Sequence, residues 1–153
     1  MEEVLRVEDL SFAYESKSVL RNLNISINKG EKIAVMGCNG AGKSTFFLNL
    51  SGVLCPDSGD IFLEGRKLSK GELKKLHKRV GFVFQNADSQ IIASNVRAEI
   101  SFGPMNLKLP RDEVQKRVCT AVNYMDLKGL EERAPQYLSG GEKKRVSIAD
   151  ILA

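Results

Sequence analysis

At 153 residues, with 42% apolar and 27% charged side chains, the chain has the length and composition of one globular domain rather than of a disordered tail. Lys and Arg outnumber Asp and Glu by 23 to 19, a net charge of +4, and no basic stripe interleaves with aromatics, so nucleic acid is not an expected partner. Apolar runs stop at about five residues, far short of a membrane span, and Met1-Glu2-Glu3-Val4 lacks the basic and apolar regions of a signal peptide.

The first third predicts strands. Val4–Val7 leads into Leu10, Phe12 and Tyr14, and Leu23, Ile25 and Ile27 alternate with polar residues, the period of a half-buried strand. After the turn Asn28-Lys29-Gly30-Glu31, the run Ile33-Ala34-Val35-Met36 predicts a strand buried on both faces. A helix is expected from Ser44 to about Leu50, a short strand over 60–63, a helix over 72–78 and a second buried strand over 80–84. From Gln85 to about Arg133 helical signals dominate. Asn95 can cap a short helix that Phe102-Gly103-Pro104 should end, and Pro110 opens a longer one. There Val114, Val118, Ala121, Val122 and Met125 fall on one face, which reads as core packing. Ser139 and Glu142 have the spacing of a capping box, and the helix behind them runs on without a C-terminal cap signal before Ala153. Cys38, Cys55 and Cys119 are odd in number and form no CxxC pair, as expected of reduced thiols in a cytosolic protein.

Two segments carry chemistry. Gly37-Cys38-Asn39-Gly40-Ala41-Gly42-Lys43-Ser44 matches G-x-x-x-x-G-K-[ST] and is followed by Thr45 in the expected helix. Glycines let consecutive backbone N–H groups turn inward as an anion nest. The next helix adds its unsatisfied N–H groups and positive dipole end. Lys43 supplies an ammonium for the β- and γ-phosphates, and the Ser44 hydroxyl suits Mg²⁺, a hard ion that takes oxygen ligands. Cys38 lies inside this nest, where positive potential favours thiolate and nucleotide should protect it from alkylation. The second segment is Leu138-Ser139-Gly140-Gly141-Glu142. As a capping box it is an ordinary helix start, but its two glycines leave room for an anion to approach the helix N-terminus.

A phosphate loop at 37–44, Gln85 at a strand end and LSGGE at 138–142, in that order, resemble the nucleotide-binding domain of ABC transporters over essentially the whole chain. The resemblance implies an α/β fold: a P-loop core with N-terminal antiparallel strands and a helical subdomain. It divides a single incomplete domain into a β-rich and P-loop part (1–85), a helical subdomain (86–137) and the LSGGE helix (138–153). It implies ATP and Mg²⁺ as ligands, with Tyr14 stacking on adenine and Gln85 touching Mg²⁺, as Ser44 does. The partners implied are a second ATP-binding subunit in a head-to-tail dimer, whose ATP faces this chain's LSGGE helix, and a transmembrane coupling subunit. The expected location is peripheral, at the cytoplasmic face of the membrane. The stretches 86–93 and 99–104 are similar to the energy-coupling-factor ATPases, which power uptake of cobalt, nickel or vitamins.

The same resemblance calls for an apolar strand ending in Asp-Glu after the LSGGE helix, and a switch histidine beyond it. Neither is present, so no catalytic residue is assigned, a fragment is expected, and the chain should bind ATP but hydrolyse it negligibly. His77 reads as a solvated residue among lysines, and Asp150 lies within the terminal helix. Alternatives are a soluble ABC ATPase without long insertions, a kinase- or GTPase-type P-loop protein, for which LSGGE has no use, and a non-catalytic nucleotide-binding fragment.

Overall fold

A computed structural model describes residues 2–153. The chain forms two compact units, Met1–Phe82 and Val83–Ala153.

The first unit is built on an antiparallel sheet of order β2-β1-β3-β4, from β1 (Glu3–Tyr14), β2 (Lys17–Asn28), β3 (Ser58–Leu63) and β4 (Arg66–Lys67). A bulge between Val7 and Leu10 shifts the alternation of β1 by one residue. Leu5 and Val7 before it, and Leu10 and Phe12 after it, therefore all reach the core despite their change of parity. The bulge is held by paired side chains. The Asp9 N–H donates to Asn24 Oδ1 at 2.9 Å, and Asn24 Nδ2 donates back to Asp9 Oδ1 at 3.0 Å. Helix α1 (Lys43–Leu50) adds Phe46 and Leu50 to this core, and β3 adds Ile61 and Leu63. The short helix α2 (Lys70–Leu73) starts at a capping box of Ser69 and Glu72, and a 3₁₀ turn follows at Leu76–Lys78. Leu73 and Leu76 anchor this stretch in the core.

The second unit is helical: α3 (Val96–Asn106), α4 (Arg111–Tyr124) and α5 (Gly140–Leu152), with 3₁₀ turns at Ala87–Ser89 and Pro135–Tyr137. Its core takes Val96 and Ile100 from α3, Val118, Ala121 and Val122 from α4, and Val146 and Ala149 from α5, closed by Leu127 and Leu138. These are the i, i+3 and i+4 spacings of amphipathic helices. Asn95 caps α3 as expected, accepting from the Ala98 N–H at 2.8 Å.

Three expectations are corrected. Residues 33–36 form no strand: Ile33 is 45% exposed and Met36 90% exposed. Residues 80–84 form none either, so Gln85 does not end a strand. An interior strand needs a hydrogen-bonded neighbour on each side, and neither run pairs with a strand of the described sheet. Lastly, α3 does not stop at 102–104 but passes through Pro104 to Asn106, with Pro104 buried.

Candidate functional site

The phosphate-loop residues meet in the first unit. Gly40 (φ +81°) and Gly42 (φ +87°) take left-handed conformations that side-chain-bearing residues disfavour. Gly42 is the N-cap of α1, and a methyl group there would come within 2.9 Å of Val19 Cγ1 and 3.0 Å of Leu20 Cδ2. The loop thus lies directly on β2. The Ala41 N–H closes a turn on the Cys38 carbonyl at 3.2 Å. Lys43 arches back over the loop, its ammonium donating to the carbonyls of Gly37 (2.7 Å) and Cys38 (2.8 Å). The backbone N–H groups of Lys43, Ser44 and Thr45, the first turn of α1, have no partner among the described residues. An open helix N-terminus beneath an ammonium is an arrangement that receives an anion.

Around it, Ser44 is exposed and Thr45 is buried, with the Thr45 hydroxyl donating to the Tyr14 oxygen at 3.5 Å. Tyr14 sits at the end of β1 with its ring edge-on to Phe12, centroids 4.9 Å apart, and remains 46% exposed. Thr45 thereby ties the tyrosine to the helix behind the loop. A cavity of about 250 Å³ opens beside Gly42 and Lys43, walled by Leu20, Leu23, Val35 and Met36. Cys38 is exposed, and its thiol is free, as are those of Cys55 and Cys119.

In the second unit, Ser139 caps α5 through the full box: the Glu142 N–H donates to Ser139 Oγ at 3.3 Å, and the Ser139 N–H donates to Glu142 Oε2 at 2.7 Å. That backbone bond holds the Glu142 carboxyl below its ordinary range. Leu138 is buried and anchors the turn. Gly140 and Gly141 lie in the first turn, exposed and without positive φ, and a methyl group on either would meet nothing within 4 Å. Nothing within the chain requires glycine at these two positions.

Gln85 belongs to this unit, and its segment is strapped along α5. Lys144 Nζ donates to the carbonyls of Phe84 (2.5 Å) and Gln85 (3.2 Å), and Lys143 Nζ reaches Asp88 at 2.6 Å. The Gln90 side chain takes the Phe84 N–H on its oxygen and donates its amide to the Ser147 carbonyl, each at 3.2 Å. Glu99 is only 3% exposed, and its Oε2 accepts from the N–H groups of Ile92 (2.9 Å) and Ala93 (2.7 Å). Burial, reinforced by the Glu99 charge and opposed by the Gln90 amide, pushes the Asp150 carboxyl up to about 6.

The structure therefore ties Tyr14 to Thr45, behind the phosphate loop, in one unit, and Gln85 to Lys144 of α5 in the other. Sequence reasoning missed Lys144, Gln90 and Glu99. Lys144 stands in a basic run that reads as solvent-facing, and Glu99 stands in a helix first turn, where an acid is common. His77 is exposed on its 3₁₀ turn. Among the described residues no three His, Cys, Asp or Glu side chains cluster to hold a metal. The exposed Ser44 hydroxyl at the open end of α1 is an oxygen of the kind that Mg²⁺ takes.

The profile of the ABC transporter family matches residues 20–153. The chain is 48% identical to the energy-coupling factor transporter ATP-binding protein EcfA of Methanothermobacter thermautotrophicus, over 98% of this chain and 49% of that one. It is 45% identical to EcfA of Methanocaldococcus jannaschii, over 98% and 55%. The solved structure of cbiO1 from Clostridium perfringens, described as part of the ABC transporter complex cbiONQ, superposes with a TM-score of 0.89 at 38% identity, covering 99% of this chain and 62% of that one. The chain spans about half the length of the curated relatives it matches.

Proposed function

Since the chain belongs to the ABC transporter family, we propose that it is the ATP·Mg²⁺-binding part of an energy-coupling subunit of a membrane importer. The observation that carries this reading is the open first turn of α1 beneath the arched Lys43 ammonium. Nucleotide would draw Lys43 off the Gly37 and Cys38 carbonyls onto its β- and γ-phosphates. The freed loop and the N–H groups of residues 43–45 would then hold the remaining phosphate oxygens. Mg²⁺, when bound with the nucleotide, neutralises phosphate charge, and Ser44 supplies this unit's hydroxyl to it. The exposed ring of Tyr14, fixed through Thr45, offers a face to adenine.

The same reading gives the bare Gly140-Gly141 turn to the ATP of a second ATP-binding subunit in a head-to-tail dimer. It gives Gln85 a place beside Mg²⁺ and the strapped segment after it to a transmembrane coupling subunit, at the cytoplasmic face. The names of the relatives support an energy-coupling-factor importer, for which cobalt, nickel or another micronutrient is the proposed cargo. Residues 1–153 by themselves are proposed to bind ATP without appreciable turnover, since they hold no apolar strand ending in Asp-Glu.

Calorimetric titration of ATP·Mg²⁺ into the chain tests the core of this. Micromolar-range affinity should fall at least about tenfold in Lys43→Ala, the loss of one charge-assisted contact. Equal affinities would sink the proposal. Phosphate release at about 1 s⁻¹ or faster, ordinary enzyme turnover, would refute its non-catalytic clause.

A further inference from the structure

The chain's charge excess is confined to one place. Residues 60–79 hold seven basic and three acidic side chains, and the other 133 residues hold sixteen of each, so this stretch carries the whole net +4. Its three acids are each engaged: Asp60 with Lys67 at 2.7 Å, Glu64 with Arg79 at 2.8 Å and Glu72 with Arg66 at 2.6 Å. Four ammonium groups are left over. Lys70, Lys74, Lys75 and Lys78 are exposed and have no acidic partner among the described residues. They sit on α2 and the turn after it, where Leu73 and Leu76 face the core and turn the lysines outward. No Phe, Tyr or Trp occurs between Leu63 and Gly81 to stack on a base.

We propose that Lys70, Lys74, Lys75 and Lys78 form a docking face for an anionic phospholipid surface. This goes beyond the proposed function and draws on it only for preferring a lipid surface to nucleic acid. Each lysine close to an anionic leaflet strengthens binding about fivefold, which is about 1 kcal/mol. Four together give a weak, reversible adhesion that salt screens, because the Debye length shrinks to about 3 Å at 1 M. Such a face would orient a peripheral subunit against the bilayer.

The test is co-sedimentation of the chain with vesicles of phosphatidylcholine containing about 30% phosphatidylglycerol, at low salt. Binding should be absent on pure phosphatidylcholine and lost at about 0.5 M salt. It should drop at least about tenfold when Lys70, Lys74, Lys75 and Lys78 are all changed to Gln, with Lys74→Gln/Lys75→Gln intermediate. A control that removes the same charge elsewhere, with Lys17, Lys108, Lys116 and Lys128 changed to Gln, should keep most of the binding. Equal loss in the control would show that net charge alone is at work and overturn the proposal. Equal binding to neutral vesicles, unchanged binding by the fourfold variant, or tighter binding to duplex DNA at the same salt would do the same. ATP affinity, measured on each variant, should not move, so failure here is distinguishable from failure of the nucleotide reading.

Discussion

The bare first turn of α5 makes a prediction whose sign runs against intuition for a ligand-binding motif. Gly140 and Gly141 have ordinary negative φ, and an added methyl would touch nothing within 4 Å. Glycine in a helix costs roughly 0.5–1 kcal/mol relative to alanine, because it has more freedom to lose on folding. In the first turn the lower end applies, so Gly140→Ala/Gly141→Ala should stabilise the chain by about 1 kcal/mol. For a chain of this size that raises the midpoint of thermal unfolding by about 2–4 °C. Urea unfolding followed by circular dichroism at the helical band would read the change directly. Under the proposed function the same two methyls stand where a partner's phosphate must approach, so the stabilised variant should lose ATP-induced dimerisation. A double variant less stable than the parent by more than about 0.5 kcal/mol would mean that these glycines serve the fold, and the case for an outside ligand at this turn would fail.

Gly42→Ala should behave in the opposite way. Left-handed backbone costs a non-glycine residue about 1–2 kcal/mol, and here the methyl also presses on Val19 and Leu20, so a loss near 3 kcal/mol with collapse of ATP affinity is expected. Gly40→Ala, with open space around it, should cost only the backbone strain, and denaturant titration of the two separates them. Asp150, with its carboxyl pushed up to about 6, binds its proton more tightly when folded. Its contribution is full below the ordinary carboxylate range and is lost as pH rises through about 6. Asp150→Asn should flatten that dependence and, after allowance for partial solvent access, leave the chain about 1 kcal/mol more stable at pH 7.5 by chemical denaturation. Lys144→Met should speed amide hydrogen exchange over residues 84–90 by about tenfold while sparing the core of α4, since it removes the two donations that hold this segment to α5.

Features set by neighbours a few positions apart are legible in the amino-acid sequence. Alternation locates the hairpin, the S-x-x-E spacing locates the start of α5, and the Gly-rich octapeptide locates the α1 loop. Ser69 and Glu72 form the same box, yet the helix expected over 72–78 is only the single turn of α2 at 70–73, followed by the 3₁₀ turn at 76–78. What cannot be read depends on distant neighbours. The run Ile33–Met36 is apolar enough for an interior strand, yet burial requires a partner on either side, and composition says nothing of whether one is there. Glu99 has the position of a solvated helix-start acid, and only the approach of Ile92 and Ala93 makes it a buried acceptor. Tyr14 is tied to Thr45 behind the phosphate loop, but no spacing rule foresees the Thr45 hydroxyl making that contact.

The strap along α5 has a mechanical meaning. Lys143, Lys144 and Ser147 grip the segment at three heights along the helix that begins at Ser139. A load on residues 84–90 is therefore shared among several bonds to one helix rather than carried by any single one.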